Sequence, residues 1–248
     1  MGSGLHGQIV STLGQEIIDS VAPTGTLMYA DEVVERFGVS RSVVREALRT
    51  LGSLGLVEPR PQVGTRVLPP SSWDLLSPQV VTWRARGNQS EHQIRELLEL
   101  RLGVESTAAE LAAQRGSDED ADRLVEVARL LRSAFEEGDS RRFYEHDAEF
   151  HSIVLAGAGN IVIAQLAETI SAAFDARRDD NRPGAHAVSA EAVVLHERVA
   201  QAIRAREGER ASQAVRELVR YSVQELNDRL ELTRRLEAEI QIAREDQG

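Results

Sequence analysis

From Glu91 almost to its last residue, the chain repeats apolar residues at three- and four-residue spacing, as in Leu124, Val127 and Leu131. This spacing marks one face of an α-helix, and no segment of this part alternates in the manner of a β-strand. Short polar or Gly-rich breaks divide the pattern into six predicted helices, at 91–115, 118–137, 140–157, 161–180, 188–207 and 209–245. Long helices joined by short turns predict an all-α antiparallel helical bundle over residues 91–248.

The N-terminal part has a different pattern. Ile9, Leu13 and Ile17 predict a helix from residue 5 to about residue 20. Further elements are expected in this order: a helix at 31–37 that stops at Gly38, a helix at 40–51 with Ser40 as N-cap, and two short strands between residues 55 and 67. Three helices followed by a β-hairpin describe a winged helix-turn-helix.

The chain is therefore predicted to be mainly α with two domains. The winged helix-turn-helix occupies residues 1–70, a Pro/Ser-rich linker follows at 71–90, and the helical domain covers 91–248. Trp73 and Trp83 lie in the linker region, where we expect their large rings to dock the two domains.

The charge is unevenly distributed. The 248-residue chain has a net charge of −11, but segment 36–66 holds six arginines against two acids, a compact basic patch of the kind that meets nucleic acid. The absence of cysteine excludes disulfide scaffolds, thiolate metal sites and cysteine nucleophiles. No apolar run approaches the roughly 18 residues of a membrane helix, and no signal peptide opens the chain, so we expect a cytoplasmic protein without a membrane partner.

The third predicted helix carries an arginine stripe. Arg41, Arg45 and Arg49 are spaced by four, while Val44 and Leu51 supply part of the packing side. Such a stripe can contact phosphates and guanine edges in the major groove. The alternative is a solvated arginine face, and the spacing alone does not decide between the two.

The segments around this stripe add a resemblance. The runs SRSVVREAL (40–48), GLV (55–57) and PQVGTRV (61–67) resemble the DNA-binding domain of the GntR family of bacterial transcription regulators. The resemblance implies that Gly64, at the wing tip, approaches the minor groove. It also implies operator contacts by Ser40, Arg41, Ser42, Arg45 and Arg49. One departure is Asp31, which stands where members of this family commonly have an arginine that touches DNA.

The helical part contains a polar constellation. In the segment DAEFH, Asp147 and His151 lie four residues apart and share one helical face, and His196 lies in another amphipathic helix. A lone histidine on an apolar face is usually a core residue that has found a hydrogen-bond partner. Two histidines and one carboxylate from bundle helices can instead converge on one ion, with zinc favoured and nickel, manganese or iron as alternatives.

A second resemblance bears on this choice. The segments ELRLGVE (99–105), DAEFHSIVLA (147–156) and HERVAQAI (196–203) resemble the helical effector domain, of FCD type, in the FadR branch of GntR regulators. This resemblance implies a divalent metal held by Asp147, His151 and His196. A further histidine on the last helix is expected in that branch. Tyr221 stands in its place, which implies either an open site with three protein ligands or a site that binds no metal.

Two further residues are assigned to the effector by the same resemblance. Arg101 is expected to point into the bundle, where its planar guanidinium could clamp a carboxylate. The alternative is a surface ion pair between Arg101 and Glu105. Tyr221 is expected to act as a hydrogen-bond donor in the pocket.

The sequence WDLLSPQVVTW (73–83) is similar to regulators of sugar-acid catabolism. The resulting prediction is a homodimeric transcription regulator, interpreted as a repressor, that binds double-stranded operator DNA and responds to a sugar-acid or hydroxy-acid carboxylate at a metal-centred pocket. Two alternatives stay open: the same fold sensing an apolar or acyl thioester ligand without metal, and a helical metalloenzyme. The enzyme reading leaves the arginine helix and the wing without a role, so we do not expect catalysis.

Overall fold

The computed structural model describes residues 4–88, 90–178 and 188–245. The chain divides into two compact units, Met1–Ile94 and Arg95–Gly248. Helices dominate both units, and a small antiparallel sheet belongs to the first. The predicted fold class, mainly α with an N-terminal winged helix-turn-helix, is confirmed.

The first unit begins with three helices and three short strands. The helices are α1 (Leu5–Ile18), α2 (Ala30–Phe37) and α3 (Arg41–Ser53). The strands are β1 (Leu27–Met28), β2 (Val57–Arg60) and β3 (Gly64–Val67), in the order β1-β3-β2 with both pairings antiparallel. The hairpin β2–β3 is the predicted wing. Strand β1 was not predicted, because two residues are too short to show an alternating pattern.

The turn between α2 and α3 follows the expected chemistry. Gly38 ends α2 with φ of 63°, a left-handed conformation that glycine adopts without steric cost. Ser40 occupies the N-cap position of α3, but its Oγ lies 2.9 Å from Ser42 Oγ and makes no cap hydrogen bond. On the inner side of α3, Val44 and Leu51 are fully buried in a core shared with α1. The two helices of the helix-turn-helix are therefore fixed by apolar packing.

Segment 71–90, expected as a linker, contains helix α4 (Pro78–Arg86). Trp73 and Trp83 are both buried, and both belong to the core of the first unit. The indole nitrogen of Trp73 donates to Leu68 O at 3.1 Å. The ring of Trp83 lies against Gly14 of α1, where an added Cβ would come within 2.5 Å of it. Both rings thus pack inside the first unit.

The bundle is built from six helices among the described residues: α5 (Ser90–Arg115), α6 (Asp118–Glu136), α7 (Ser140–Gly157), α8 (Ile161–Arg178), α9 (Ala190–Arg204) and α10 (Gly208–Glu245). Each begins and ends within three residues of its predicted bounds, except that the predicted end of the fourth, 179–180, lies outside the described residues. Side-chain caps explain three of the starts, since Ser117, Asp139 and Ser189 each accept from a backbone N–H in the first turn. Within the described residues, no helix is long and apolar enough to cross a membrane.

Candidate functional site

The outer side of α3 is strongly basic. Arg41, Arg45 and Arg49 are exposed, as are Ser40 and Ser42 at its start. Helical spacing by four places the three guanidinium groups on one side, opposite the buried residues of the same helix. This arrangement can meet the phosphates and base edges of a major groove.

The wing carries the last residue of the predicted DNA-contacting set. Gly64 opens β3 with φ of 129°, a conformation that L side chains rarely adopt. A Cβ at this position would also lie 3.1 Å from Met28 O and 3.3 Å from the ring of Tyr29. The backbone conformation and the close neighbours therefore favour glycine at position 64. This holds apart from the close approach to DNA that the family resemblance implies.

Inside the bundle, Asp147 and His151 of α7 meet His196 of α9. Asp147 Oδ1 lies 2.9 Å from His196 Nε2 and 3.2 Å from His151 Nε2. All three residues are buried, and each offers a ligand atom within 4.8 Å of the others. The structure thus brings together the three residues that the sequence singled out as a metal-ligating set.

Hydrogen bonds on the far side of each ring set the orientation of the imidazoles. His196 Nδ1 lies 2.7 Å from Ala192 O, an acceptor, so this nitrogen carries a proton and donates it. His151 Nδ1 lies 2.9 Å from the carboxylate of Glu105 and donates in the same way. If either ring were neutral, its Nε2 would face Asp147 Oδ1 as one acceptor facing another. Such a contact needs a cation between the atoms, either a proton or a metal ion.

Arg101 completes this cluster from α5. Its Nε donates to Glu105 Oε1 at 2.8 Å, and its Nη2 lies 2.8 Å from His151 Nε2. The guanidinium also covers the ring of Phe174 at 4.7 Å from the centroid. Arg101 is 7% exposed and Glu105 is 0% exposed, so the expectation that Arg101 points into the bundle holds and the alternative of a surface ion pair does not.

The electrostatics of the cluster follow from this packing. Burial alone raises the pKa of Glu105, but the neighbouring Arg101 and His151 outweigh that effect and lower the pKa to about 2. Burial likewise opposes the ionised form of Asp147, yet hydrogen bonds from His151 and His196 hold its pKa well below the usual range. The pKa of His151 is raised, because Glu105 and Asp147 outweigh burial and the charge of Arg101. Two carboxylates therefore stay ionised inside the bundle.

A small cavity of about 30 Å³ opens beside the cluster. Besides Arg101, Asp147, His151 and His196, its lining is formed by Phe143, Tyr144, Phe174, Val188, Ser189, Ala192, Leu218, Ser222 and Glu225. Helix α10 contributes the i, i+4, i+7 stripe of Leu218, Ser222 and Glu225. Tyr221, half-buried, is not in this lining, so the structure brings together all the predicted pocket residues except Tyr221.

The donor set fits a divalent transition metal. Two imidazole nitrogens and one carboxylate oxygen suit zinc, nickel, manganese or iron better than calcium, which prefers six to eight oxygens. The Nδ1 hydrogen bonds to Ala192 and Glu105 are the outer contacts that usually orient metal-binding histidines. Glu105 was not predicted as part of the site. Its signals in the sequence are a charged i,i+4 pair with Arg101 and its place at the end of the segment ELRLGVE (99–105).

Comparisons with known proteins agree with the DNA-binding character of the first unit and with the helical bundle of the second. Residues 5–67 match the family described as bacterial regulatory proteins, gntR family, and residues 96–221 match the FCD domain. The galactonate operon transcriptional repressor of Escherichia coli K12 is 29% identical over 223 residues, which cover 89% of this chain and 96% of that protein. The HTH-type transcriptional regulator YieP of the same organism is 28% identical over 216 residues, which cover 86% and 91%.

A solved structure supports the fold alone. It is Lar, which controls the expression of the agr system in Listeria monocytogenes, and it superposes with a TM-score of 0.62 at 15% identity, covering 92% of this chain and 99% of that one. The relatives are transcription regulators and not enzymes, so the metalloenzyme alternative is set aside. The chain belongs to the GntR family of bacterial DNA-binding transcription regulators, with an FCD domain after its winged helix-turn-helix.

Proposed function

We propose that the protein is a homodimeric repressor of a bacterial operon for sugar-acid or hydroxy-acid catabolism. The observation that carries the proposal is the buried cluster of Arg101, Glu105, Asp147, His151 and His196, which lies beside a cavity with both polar and apolar lining. The relative that represses a galactonate operon is consistent with an effector of this class. The protein acts in the cytoplasm, where bacterial operator DNA lies.

Asp147, His151 and His196 are the residues that would hold the metal, with zinc as the preferred ion. Bound there, a divalent cation supplies open coordination positions for a ligand oxygen. Glu105 keeps His151 Nδ1 protonated, so that Nε2 is the ligating atom. Ala192 O does the same for His196.

The charge of the site favours an anionic effector. With both histidines neutral, as metal ligands must be, Asp147, Glu105 and Arg101 sum to −1. A divalent ion changes the sum of these buried groups to +1, which one carboxylate balances. The carboxylate of Glu225 at the cavity wall is not counted in this sum. Arg101 lines the same cavity as the three metal-ligating residues, and its Nη1 can donate a hydrogen bond to that carboxylate.

The cavity wall favours a polyhydroxylated tail over an acyl chain. Tyr144, Ser189 and Ser222 offer hydroxyl groups, and Glu225 offers a carboxylate. Groups of this kind exchange hydrogen bonds with the hydroxyls of a sugar acid. An acyl chain in the same place would exchange no hydrogen bonds with these groups.

Regulation follows from thermodynamic linkage between effector binding and operator binding. The exposed side of α3 and the wing bind the operator through Ser40, Arg41, Ser42, Arg45, Arg49 and Gly64. An effector that prefers one geometry of the dimer shifts DNA affinity by its differential binding to the two states. Dimer symmetry predicts a roughly palindromic operator.

A thermal-shift experiment tests the effector site. Zinc should raise the melting temperature of the chelator-treated protein, and galactonate, gluconate or lactate should raise it further by about 5–10 °C only when zinc is present. His196→Ala should abolish both shifts. His146→Ala is the matched control on α7, since His146 faces Glu149 at 3.8 Å and not the cavity. Melting temperatures that stay flat across zinc and all acids would refute the proposed site.

A further inference from the structure

Asp31 places a negative charge at the head of the DNA-contacting helix. It lies in the first turn of α2, and its Oδ1 is 2.9 Å from Nη2 of Arg41, the first residue of α3. Both side chains are more than 70% exposed, so the pair adds little to folding stability. The pair matters because Arg41 belongs to the side of α3 assigned to the operator.

We propose that Asp31 is a specificity-determining residue, which withholds Arg41 from phosphates and presents it to base edges. The inference rests on the proposed operator-binding role of α3. Arg41 has five N–H donors, so it can keep Asp31 as a partner while it donates to another acceptor.

The two kinds of acceptor on DNA respond differently to Asp31. A phosphate is anionic, and Asp31 both competes with it for Arg41 and repels it. The O6 and N7 atoms of guanine are neutral, so donation from Arg41 to them brings no repulsion between like charges. Non-specific binding depends on phosphate contacts, whereas sequence is read at base edges. Asp31 therefore weakens non-specific binding more than specific binding, and its effect passes through Arg41.

The test compares Asp31→Asn with Glu32→Gln. Glu32 is an exposed acid of the same helical turn, and in the described part of the chain it makes no ion pair with α3. The probes are a 30-base-pair duplex recovered by wild-type protein from a random-sequence pool, and a scrambled duplex of the same composition. Affinities are measured by fluorescence anisotropy over a series of salt concentrations.

Asp31→Asn should tighten binding to the scrambled duplex by roughly two- to fivefold and to the selected duplex by less, so the ratio of the two affinities falls. The slope of log affinity against log salt on the scrambled duplex should steepen by about 0.9, which is one more phosphate contact. Glu32→Gln should leave the ratio unchanged. In an Arg41→Ala background, Asp31→Asn should no longer alter the ratio of the two affinities.

Three results would overturn the inference: an unchanged or higher ratio in Asp31→Asn, an equal fall in Glu32→Gln, or a fall that persists in the Arg41→Ala background. None of these three results contradicts the proposal that the protein binds an operator. Failure of the wild-type protein to enrich any duplex overturns the proposed function, and the inference with it, because there is then no discrimination for Asp31 to support.

Discussion

Nη2 of Arg101 lies 2.8 Å from Nε2 of His151, the same ring nitrogen that faces Asp147. The guanidinium of Arg101 and a metal ion would both bind the lone pair on His151 Nε2. Arg101 is therefore coupled directly to the metal-ligating residues. The same residue lines the cavity. Arg101 is therefore the side chain through which metal binding and carboxylate binding can influence each other.

The buried ion pair yields a prediction on stability. Arg101→Gln leaves the fully buried Glu105 with one cationic partner fewer, and we expect it to lower the free energy of unfolding by about 3 kcal/mol. The double variant Arg101→Gln, Glu105→Gln removes both charges and should recover much of that loss. Urea unfolding measures both values. Equal losses in the single and double variants would show that the charge of Glu105 is not the cause.

Glu105 also yields a prediction on metal affinity. Glu105→Gln removes the charge that polarises His151 from the far side of its ring, and we expect zinc affinity to fall about tenfold while the stoichiometry stays the same. Competition with a chromophoric chelator measures it. Glu197→Gln is the control, because Glu197 adjoins His196 in sequence but pairs with Arg132 at 2.5 Å, outside the site. A similar loss of zinc affinity in both variants would show that the removal of a negative charge in general, and not the contact with His151, causes the effect.

The contact between α1 and α4 gives a packing prediction. Gly14→Ala would place a Cβ within 2.5 Å of the rigid ring of Trp83, and we expect a loss of about 1–3 kcal/mol in stability from overpacking. Gly103→Ala is the matched control: it lies inside helix α5 with nothing within 4 Å of its added Cβ, so it should be neutral or stabilising. Thermal unfolding compares the two, and a neutral Gly14→Ala would show that Trp83 does not pack there.

Sequence patterns predicted those parts of the fold that local chemistry determines. Ser117, Asp139 and Ser189 cap the starts of α6, α7 and α9, and Gly116 and Gly157 lie at the ends of α5 and α7, so these bounds could be predicted closely. Strand β1 and helix α4 were not predicted. The two residues of β1 are held by pairing with β3, which is distant in sequence. Helix α4 lies in a Pro- and Ser-rich stretch that indicates a linker, although Pro78 at its first turn is also a favourable helix start.

The candidate site was predicted in part for a similar reason. Asp147, His151 and His196 could be singled out because polar residues on apolar helical faces are conspicuous. Glu105 was considered only as a surface partner of Arg101, because an i,i+4 Arg–Glu pair is usually a surface feature and only tertiary packing buries it. On α10, helical periodicity does not separate neighbouring positions, and the cavity is lined by Ser222 and not by Tyr221.

The basic side of α3 gives a prediction on DNA affinity. Arg45→Ala should weaken binding to a selected duplex by about 10- to 100-fold, the range for loss of a base or phosphate contact. Arg129→Ala, an exposed arginine on α6, removes the same charge far from α3 in sequence and serves as the control. Anisotropy titrations compare the variants, and an unchanged affinity in Arg45→Ala would contradict the assignment of this helix to DNA.

The proposed function requires that a small carboxylate at the metal-centred pocket controls operator binding. Its most direct test is release of a labelled selected duplex, followed by anisotropy, as zinc-loaded protein is titrated with sugar and hydroxy acids. We expect at least one of these acids to weaken DNA binding by about 5- to 150-fold, with little effect after chelator treatment and none from hexadecanoyl-coenzyme A. Release by the acyl thioester alone, or equal release by acids with and without zinc, would contradict the proposed function.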